Sequence, residues 1–387
     1  MIPYGRQDIN EDDIAAVRAV LTSDFLTQGP AIERFERKVV EQCDVKHAVA
    51  ISNATAGLHL ACLALDLGPG DIAWTVPNTF VASANCARYC GADVDFVDID
   101  PVSWNMSPAH LAAKLQHAKT QGKLPKVLVP VHFSGQSADM EAIGALARQY
   151  GIAVIEDASH AIGADFAGKP VGNCAHSACA VFSFHPVKIV TTGEGGVVVT
   201  NSDDMADRLR RLRTHGITRD AKFMRSADPA PWYYEQVELG FNYRMTDIQA
   251  ALGASQMTRL AEFVERRRYL AARYNELLGG LQLPLVLPEQ DPRTASSWHL
   301  YVVRLRLDAK RVTHRGVFEG LRAAGIGVNL HYIPVHLQPY YRDLGFSSGY
   351  CPEAERYAGE AISLPLYAGL SEADQDYIVA TLRRLLA

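Results

Sequence analysis

Through the first 250 residues, short apolar, β-branched runs alternate with stretches whose apolar residues recur at helical spacing, and no other feature narrows the fold as much. The apolar runs fall at residues 48–51, 72–76, 94–97, 127–131, 153–155, 180–184 and 197–200, with helical patterns at 56–65, 108–116, 140–150 and 205–212 among them. Several runs are apolar on consecutive positions, as strands covered on both faces require. Strands and helices in alternation predict an α/β fold around a mostly parallel sheet. Thr246 with Gln249 three residues on is a capping-box signature. Ile248, Leu252, Leu260, Phe263 and Leu270 keep helical register behind it, so one long helix is expected there. A chain of 387 residues suits two domains at about 150 residues each. The division is placed at residue 250, giving a large domain 1–250 and a smaller α+β domain 251–387. Pro284, Pro288 and Pro292 mark a loop in the latter, before a strand at 301–307 and a helix at 317–324.

Charge and composition remove several function classes. The formal net charge is −5 with no strongly basic segment, which argues against a nucleic-acid partner. The arginine clusters 208–213 and 266–268 have the spacing of solvated helix faces. No apolar run reaches the ~18 residues of a membrane span. The start, Met1-Ile2-Pro3-Tyr4-Gly5-Arg6, lacks a signal core, so the expected location is cytoplasmic. Seven cysteines without a Cys-x-x-Cys fit a reducing compartment.

Chemistry concentrates at the predicted strand ends. Asp157 closes the run Val154-Ile155-Glu156-Asp157, and Lys188 follows 31 residues later in Ser183-Phe184-His185-Pro186-Val187-Lys188. One more strand fits in that interval, so both groups can stand at neighbouring strand ends. A lysine amine that condenses with an aldehyde, and a carboxylate that keeps a pyridine nitrogen protonated, are what pyridoxal 5′-phosphate (PLP) requires. Ser52-Asn53-Ala54-Thr55-Ala56-Gly57 leaves a strand and opens a helix, where free N–H groups favour a phosphate. Thr55 adds a hydroxyl, Ala56 allows close approach, and Ser183 offers a second hydroxyl; ordinary capping explains each equally well when taken alone. Phe80 and His160 are placed to lie against a ring, although either residue type is more often structural. The glycines of Thr191-Thr192-Gly193-Glu194-Gly195-Gly196 let backbone pass close to a ligand.

Two attractive motifs are set aside. Gly163 to Lys169 imitates a phosphate-binding P-loop, but Pro170 stands where a Ser or Thr must bind magnesium. Cys174, His176 and Cys179 lack a fourth ligand at zinc spacing, and no metal is expected.

The motifs Ile2–Gln7, Thr27–Pro30, Asn53–Ala56, Glu156–His160, Ser183–Gly196 and Gly240–Asp247, in this order, make the chain resemble the fold-type-I PLP-dependent nucleotide-sugar aminotransferases nearly end to end. The resemblance implies Lys188 as the cofactor-binding lysine and proton carrier, and Asp157 as the pyridine partner. It implies Thr55, Ala56 and Ser183 as the phosphate cup, with Phe80 and His160 against the ring. Asn242 would reach the cofactor of a second subunit, making a homodimer the active form. His185, His331 and Tyr332 match the sugar-nucleotide side. The stretch from Ser183 to Gly196 looks like the branch that aminates C4 of 4-keto-6-deoxy sugars, with L-glutamate as donor. Competing readings are a dehydratase on this scaffold, which would carry histidine in place of Lys188, a 3-aminotransferase, and a PLP-fold regulator without activity.

Overall fold

The computed structural model describes residues 1–226, 230–306 and 312–386. Its centre is a seven-stranded sheet built from β1 (His47–Ile51), β2 (Ile72–Thr75), β3 (Asp93–Phe96), β4 (Val127–Val129), β5 (Ala153–Asp157), β6 (Cys179–Ser183) and β7 (Gly196–Thr200). The order across the sheet is β1-β7-β6-β5-β4-β2-β3. Every pairing from β6 to β3 is parallel, and β7 alone runs the other way, between β1 and β6. The seven apolar runs of the sequence are these seven strands.

In β1, β6 and β7 the consecutive apolar residues are explained by two cores, one on each face. Val49, Ile51, Val181 and Val198 point into a core closed by the helices Ala54–Ala64, Ala82–Tyr89, Pro108–Gln121, Met140–Tyr150 and Asp203–Leu212. Their neighbours Ala48, Ala50, Ala180, Phe182, Val197 and Val199 point into the other core. That core is closed by the helices Pro30–Cys43 and Asp247–Met257 and the start of Leu260–Gly279. The period of two along a strand thus feeds both cores from one sequence run. A third core, from Leu270 to Leu386, packs helices His314–Ala323 and Glu372–Leu386 around a small antiparallel sheet. That sheet is Leu285–Val286, Tyr301–Leu305 and Ala361–Leu364. The expected strand 301–307 ends at Leu305 in the structure, and residue 307 lies outside the described residues.

Two expectations are corrected. The long helix after Thr246 is two helices, Asp247–Met257 and Leu260–Gly279. Thr246 and Gln249 do form the capping box, but the first helix closes in tight i→i+3 bonds from Thr258 N to Ser255 O and from Arg259 N to Gln256 O. Arg259 then anchors the break through Asp8 at 2.8 Å and Asp13 at 2.6 Å, contacts far away in sequence that periodicity does not report. The arginine clusters are not solvated faces either. Arg267 is 2% exposed and donates from Nη1 to the carbonyls of Trp298, His299 and Leu366 at 3.0–3.2 Å. Burial pushes it down to about 10. Arg213 bonds Glu36 and the Ala50 carbonyl, both at 2.7 Å.

Candidate active site

The carboxyl ends of β1, β5 and β6, with the chain just beyond β2, bring the chemical groups together, the usual place for a ligand in an open α/β sheet. Asp157 ends β5, paired in parallel with Val181 of β6. Beyond β6 the chain leaves at Phe184 and returns at Gly195, where Phe184 N donates to Gly195 O and Phe184 O accepts Thr192 N, both at 2.9 Å. That closed loop holds Lys188. Its side chain is half-buried, and among the described residues no carboxylate lies within 4.0 Å of Nζ. Desolvation pushes its ammonium down to about 8, with Asp157 pulling weakly the other way. A lysine so placed is a neutral nucleophile over far more of the pH range than an exposed one.

Asp157 is buried, and each carboxylate oxygen already accepts one bond. Ser83 Oγ donates to Oδ2 at 2.6 Å and Ser159 N donates to Oδ1 at 3.1 Å. The Ser83–Asp157 link joins two chain segments 74 residues apart.

The strand-to-helix turn after β1 forms a cradle of free N–H groups. Asn53 caps helix Ala54–Ala64 by accepting Ala56 N at 2.8 Å. The N–H groups of Ala54 and Thr55 precede the first intrahelical bond and carry the positive end of the helix dipole. Gly196, opposite Ile51 and Ser183 in the sheet, lets this turn sit down on the strands. A Cβ there would lie 2.5–2.7 Å from the backbone of Asn53 and Ala54. The Thr55 and Ser183 side chains, both part-exposed, make no hydrogen bond among the described residues. Free N–H groups, two spare hydroxyls, an unpaired lysine and a braced carboxylate are the donor set that PLP needs, and the residues fit it.

On the opposite side stands a buried ring cluster. His160 Nδ1 accepts Ser134 N at 3.3 Å, so its proton sits on Nε2 and is donated to Tyr332 Oη at 3.1 Å. Burial, with the nearby positive Lys188, keeps His160 well below the usual histidine range, hence neutral. His299, 4.4 Å from it between ring centroids, is neutral for the same reason. His331 Nδ1 pairs with Ser363 Oγ at 2.8 Å, and burial pushes it down to about 3. Asn78 Oδ1 accepts Tyr332 N at 3.1 Å, fixing the His331–Tyr332 segment against the end of β2. Phe80 is 59% exposed, 6.5 Å from the Tyr332 ring.

Lys188, Asp157, His160, His331 and Tyr332 therefore form one cluster. The side chains of His185 and Asn242 stand exposed and bond none of these groups. Asn242 lies beside the phosphate cradle's own strand, since Tyr243 O accepts Ser52 N at 2.8 Å. Sequence reading missed Ser83, Ser134 and His299. Only Ser83 left a signal, three residues after Phe80 at a helix start.

A family model matches residues 7–383, that of the DegT/DnrJ/EryC1/StrS aminotransferase family. The chain belongs to this family. The spore coat polysaccharide biosynthesis protein SpsC of Bacillus subtilis is 37% identical over 390 residues, covering 100% of this chain and 97% of SpsC. Among solved structures, Helicobacter pylori PseC, an aminotransferase of pseudaminic acid biosynthesis, superposes at a TM-score of 0.89. It shares 27% identity over 100% of this chain and 99% of PseC. Spr1654 from Streptococcus pneumoniae, described as a candidate sugar aminotransferase and solved in its PLP form, gives 0.88 at 28% identity, over 99% and 98% of the two chains. The protein is accordingly a PLP-dependent sugar aminotransferase of fold type I. None of its described helices is long and apolar enough to cross a membrane.

Proposed function

We propose that the protein transfers the amino group of L-glutamate to C4 of a UDP-linked 4-keto-6-deoxy-N-acetylhexosamine. This is the reaction of a UDP-4-amino-4,6-dideoxy-N-acetyl-β-L-altrosamine transaminase in pseudaminic acid biosynthesis, carried out in the cytoplasm. The observation that carries the aminotransferase chemistry is the pair at the ends of β5 and β6: an uncommitted, easily neutralised Lys188 beside a braced Asp157. Amination at C4 rests on the run from Ser183 to Gly196, and the narrower substrate on Ile2–Gln7, on Thr79–Cys86 and on the likeness to PseC.

Bound PLP supplies an electron sink for the bonds at the carbon next to nitrogen. Lys188 would hold the cofactor and, as a free neutral amine, would carry a proton from Cα of glutamate to the cofactor, and in the second half from the cofactor to C4 of the keto sugar. Asp157 keeps the pyridine nitrogen protonated. The Ala54 and Thr55 N–H groups, with Thr55 and Ser183 hydroxyls and the small Ala56, hold the phosphate. His160 and Phe80 would lie against the ring, while His185, His331 and Tyr332 would face the sugar nucleotide. Asn242, exposed on its own protomer, serves the site of a second copy, so the active form is a homodimer. The division drawn at residue 250 between a cofactor domain, 1–250, and a smaller one, 251–387, falls inside helix Asp247–Met257, so the cofactor domain extends to the start of helix Leu260–Gly279.

A second reading, a 4-keto or 3-keto sugar on GDP or dTDP, is kept because SpsC shares more identity with this chain than PseC does. The two separate in one experiment. PLP-loaded protein is converted to its amino form with L-glutamate, freed of donor, and offered keto sugars one at a time while the cofactor absorbance is followed. Return of the starting spectrum with UDP-2-acetamido-2,6-dideoxy-β-L-arabino-4-hexulose is the expected result. Return only with a GDP- or dTDP-linked sugar would replace the substrate and leave the enzyme class standing.

A further inference from the structure

Asp157 is not held by backbone alone. Ser83, on the first turn of helix Ala82–Tyr89, donates to its Oδ2 at 2.6 Å, and Thr79 Oγ1 lies 2.8 Å from Ser83 Oγ. All three side chains are at most 4% exposed. The proton direction follows from counting. A carboxylate only accepts, so the single Ser83 proton goes to Asp157 in preference to the Phe80 carbonyl 3.4 Å away. Thr79 must then donate to Ser83. The result is a one-way chain, Thr79 to Ser83 to Asp157, in which each bond polarises the next and the last is charge-assisted.

Such a chain has two consequences. It fixes the carboxylate in one orientation, since its anchor comes from a different strand–helix unit, the one that follows β2. It also draws charge from Oδ2, so the carboxylate competes less for a proton shared with a ring nitrogen.

We propose that Ser83 and Thr79 are positioning residues for the transamination: a buried two-hydroxyl chain that orients Asp157 and leaves the shared proton on the pyridine nitrogen of the cofactor. The inference rests on the role given to Asp157 above. Thr79 and Ser83 touch neither substrate nor reacting atoms; they act through Asp157.

The test loads wild type, S83A, S83T and T79V with PLP labelled with ¹⁵N in the ring. It records the ¹⁵N shift of each loaded enzyme and, separately, the rate of conversion by L-glutamate. In S83A the signal should move toward that of the unprotonated ring. The limiting conversion rate should fall about 10- to 100-fold, the size expected for one lost hydrogen bond to a charged group, while half-saturating glutamate changes less than about threefold. S83T should restore both readouts. T79V, which removes only the outer hydroxyl, should move the signal the same way by less, with a loss of under about tenfold. A wild-type signal of a protonated ring with S83A unchanged would overturn this inference alone, as would an S83T that behaves like S83A. An unprotonated ring in wild type would overturn the Asp157 role as well. If S83A does not load, S83T and T79V decide: a T79V signal identical to wild type overturns the chain.

Discussion

The two halves of the active site differ in how their polar atoms are satisfied. On the inner half, toward β5 and the His331–Tyr332 segment, Asp157, His160, His331 and Tyr332 are tied to Ser83, Ser134, Ser363 and Asn78. On the outer half Thr55, Ser183 and Lys188 have side chains without protein partners among the described residues, and Phe80, His185 and Asn242 stand exposed. Buried polar groups that are satisfied internally rigidify and orient. Groups left open near a sheet edge are committed to something the chain does not itself supply. The inner half holds a fixed geometry, and the outer half is where the proposed cofactor phosphate and second-copy contacts fall.

If that contrast is right, mutations on the two sides should fail differently. D157N keeps shape but removes the charge that the inner network orients. The limiting rate of conversion by L-glutamate should fall by about 10²- to 10³-fold, measured from cofactor absorbance in rapid mixing, with the thermal midpoint nearly unchanged. N242A should weaken PLP retention by about tenfold, the loss of one hydrogen bond to a charged group, measured by equilibrium dialysis. Mixing it with a Lys188 variant should regenerate activity if Asn242 serves the neighbouring site, and the absence of any regain would break the outer half of the comparison.

Y332F tests the inner half through stability. It strands the buried Nε2–H of His160, so urea unfolding should show a loss of about 1–3 kcal/mol. A neutral outcome would mean that His160 is not oriented as described.

The smallest effect belongs to Lys188 in the cofactor-free protein. Its folded pKa, about 8, lies below its unfolded value of 10.5, so the unfolded chain binds more protons between these limits. This group's cost to the native state is fully present below pH 8 and disappears as pH rises toward 10.5. K188M should therefore be about 1–2 kcal/mol more stable than wild type at pH 7, discounted for partial exposure, with the gap closing above pH 10.

The same contrast explains what could be read from sequence. Six of the seven strands of the central sheet show as apolar runs because consecutive burial leaves a local signature, while the edge strand β3 alternates, with Asp93 exposed and Val94 and Phe96 buried. Helix Met140–Tyr150 and the Thr246–Gln249 capping box are equally local. Lys188 and Asp157 are candidates from sequence because PLP chemistry asks for a lysine and a carboxylate at or just beyond neighbouring strand ends, and the structure brings the two near each other. Ser83, His299 and Arg267 are not legible, because Asp157, His160 and the Trp298 and Leu366 carbonyls that they meet lie from 31 to 139 residues away and nothing in a local window distinguishes them. The break at Thr258–Arg259 escaped for the same reason: the apolar register continues across it while Arg259 is pulled aside by Asp8 and Asp13. The outer half is legible only as residue types, since the side chains of Thr55, Ser183 and Lys188 meet no partner among the described residues that a sequence pattern could report.

The central claim is that Lys188, alone among the site residues, moves the proton while the others position it. The direct measurement compares wild type and K188A, each saturated with PLP, in a single turnover with L-glutamate followed by absorbance and by release of 2-oxoglutarate. K188A should bind PLP, keep its fold by circular dichroism, and release keto acid at least about 10³-fold more slowly. A folded, PLP-saturated K188A that releases 2-oxoglutarate at the wild-type rate would contradict the account.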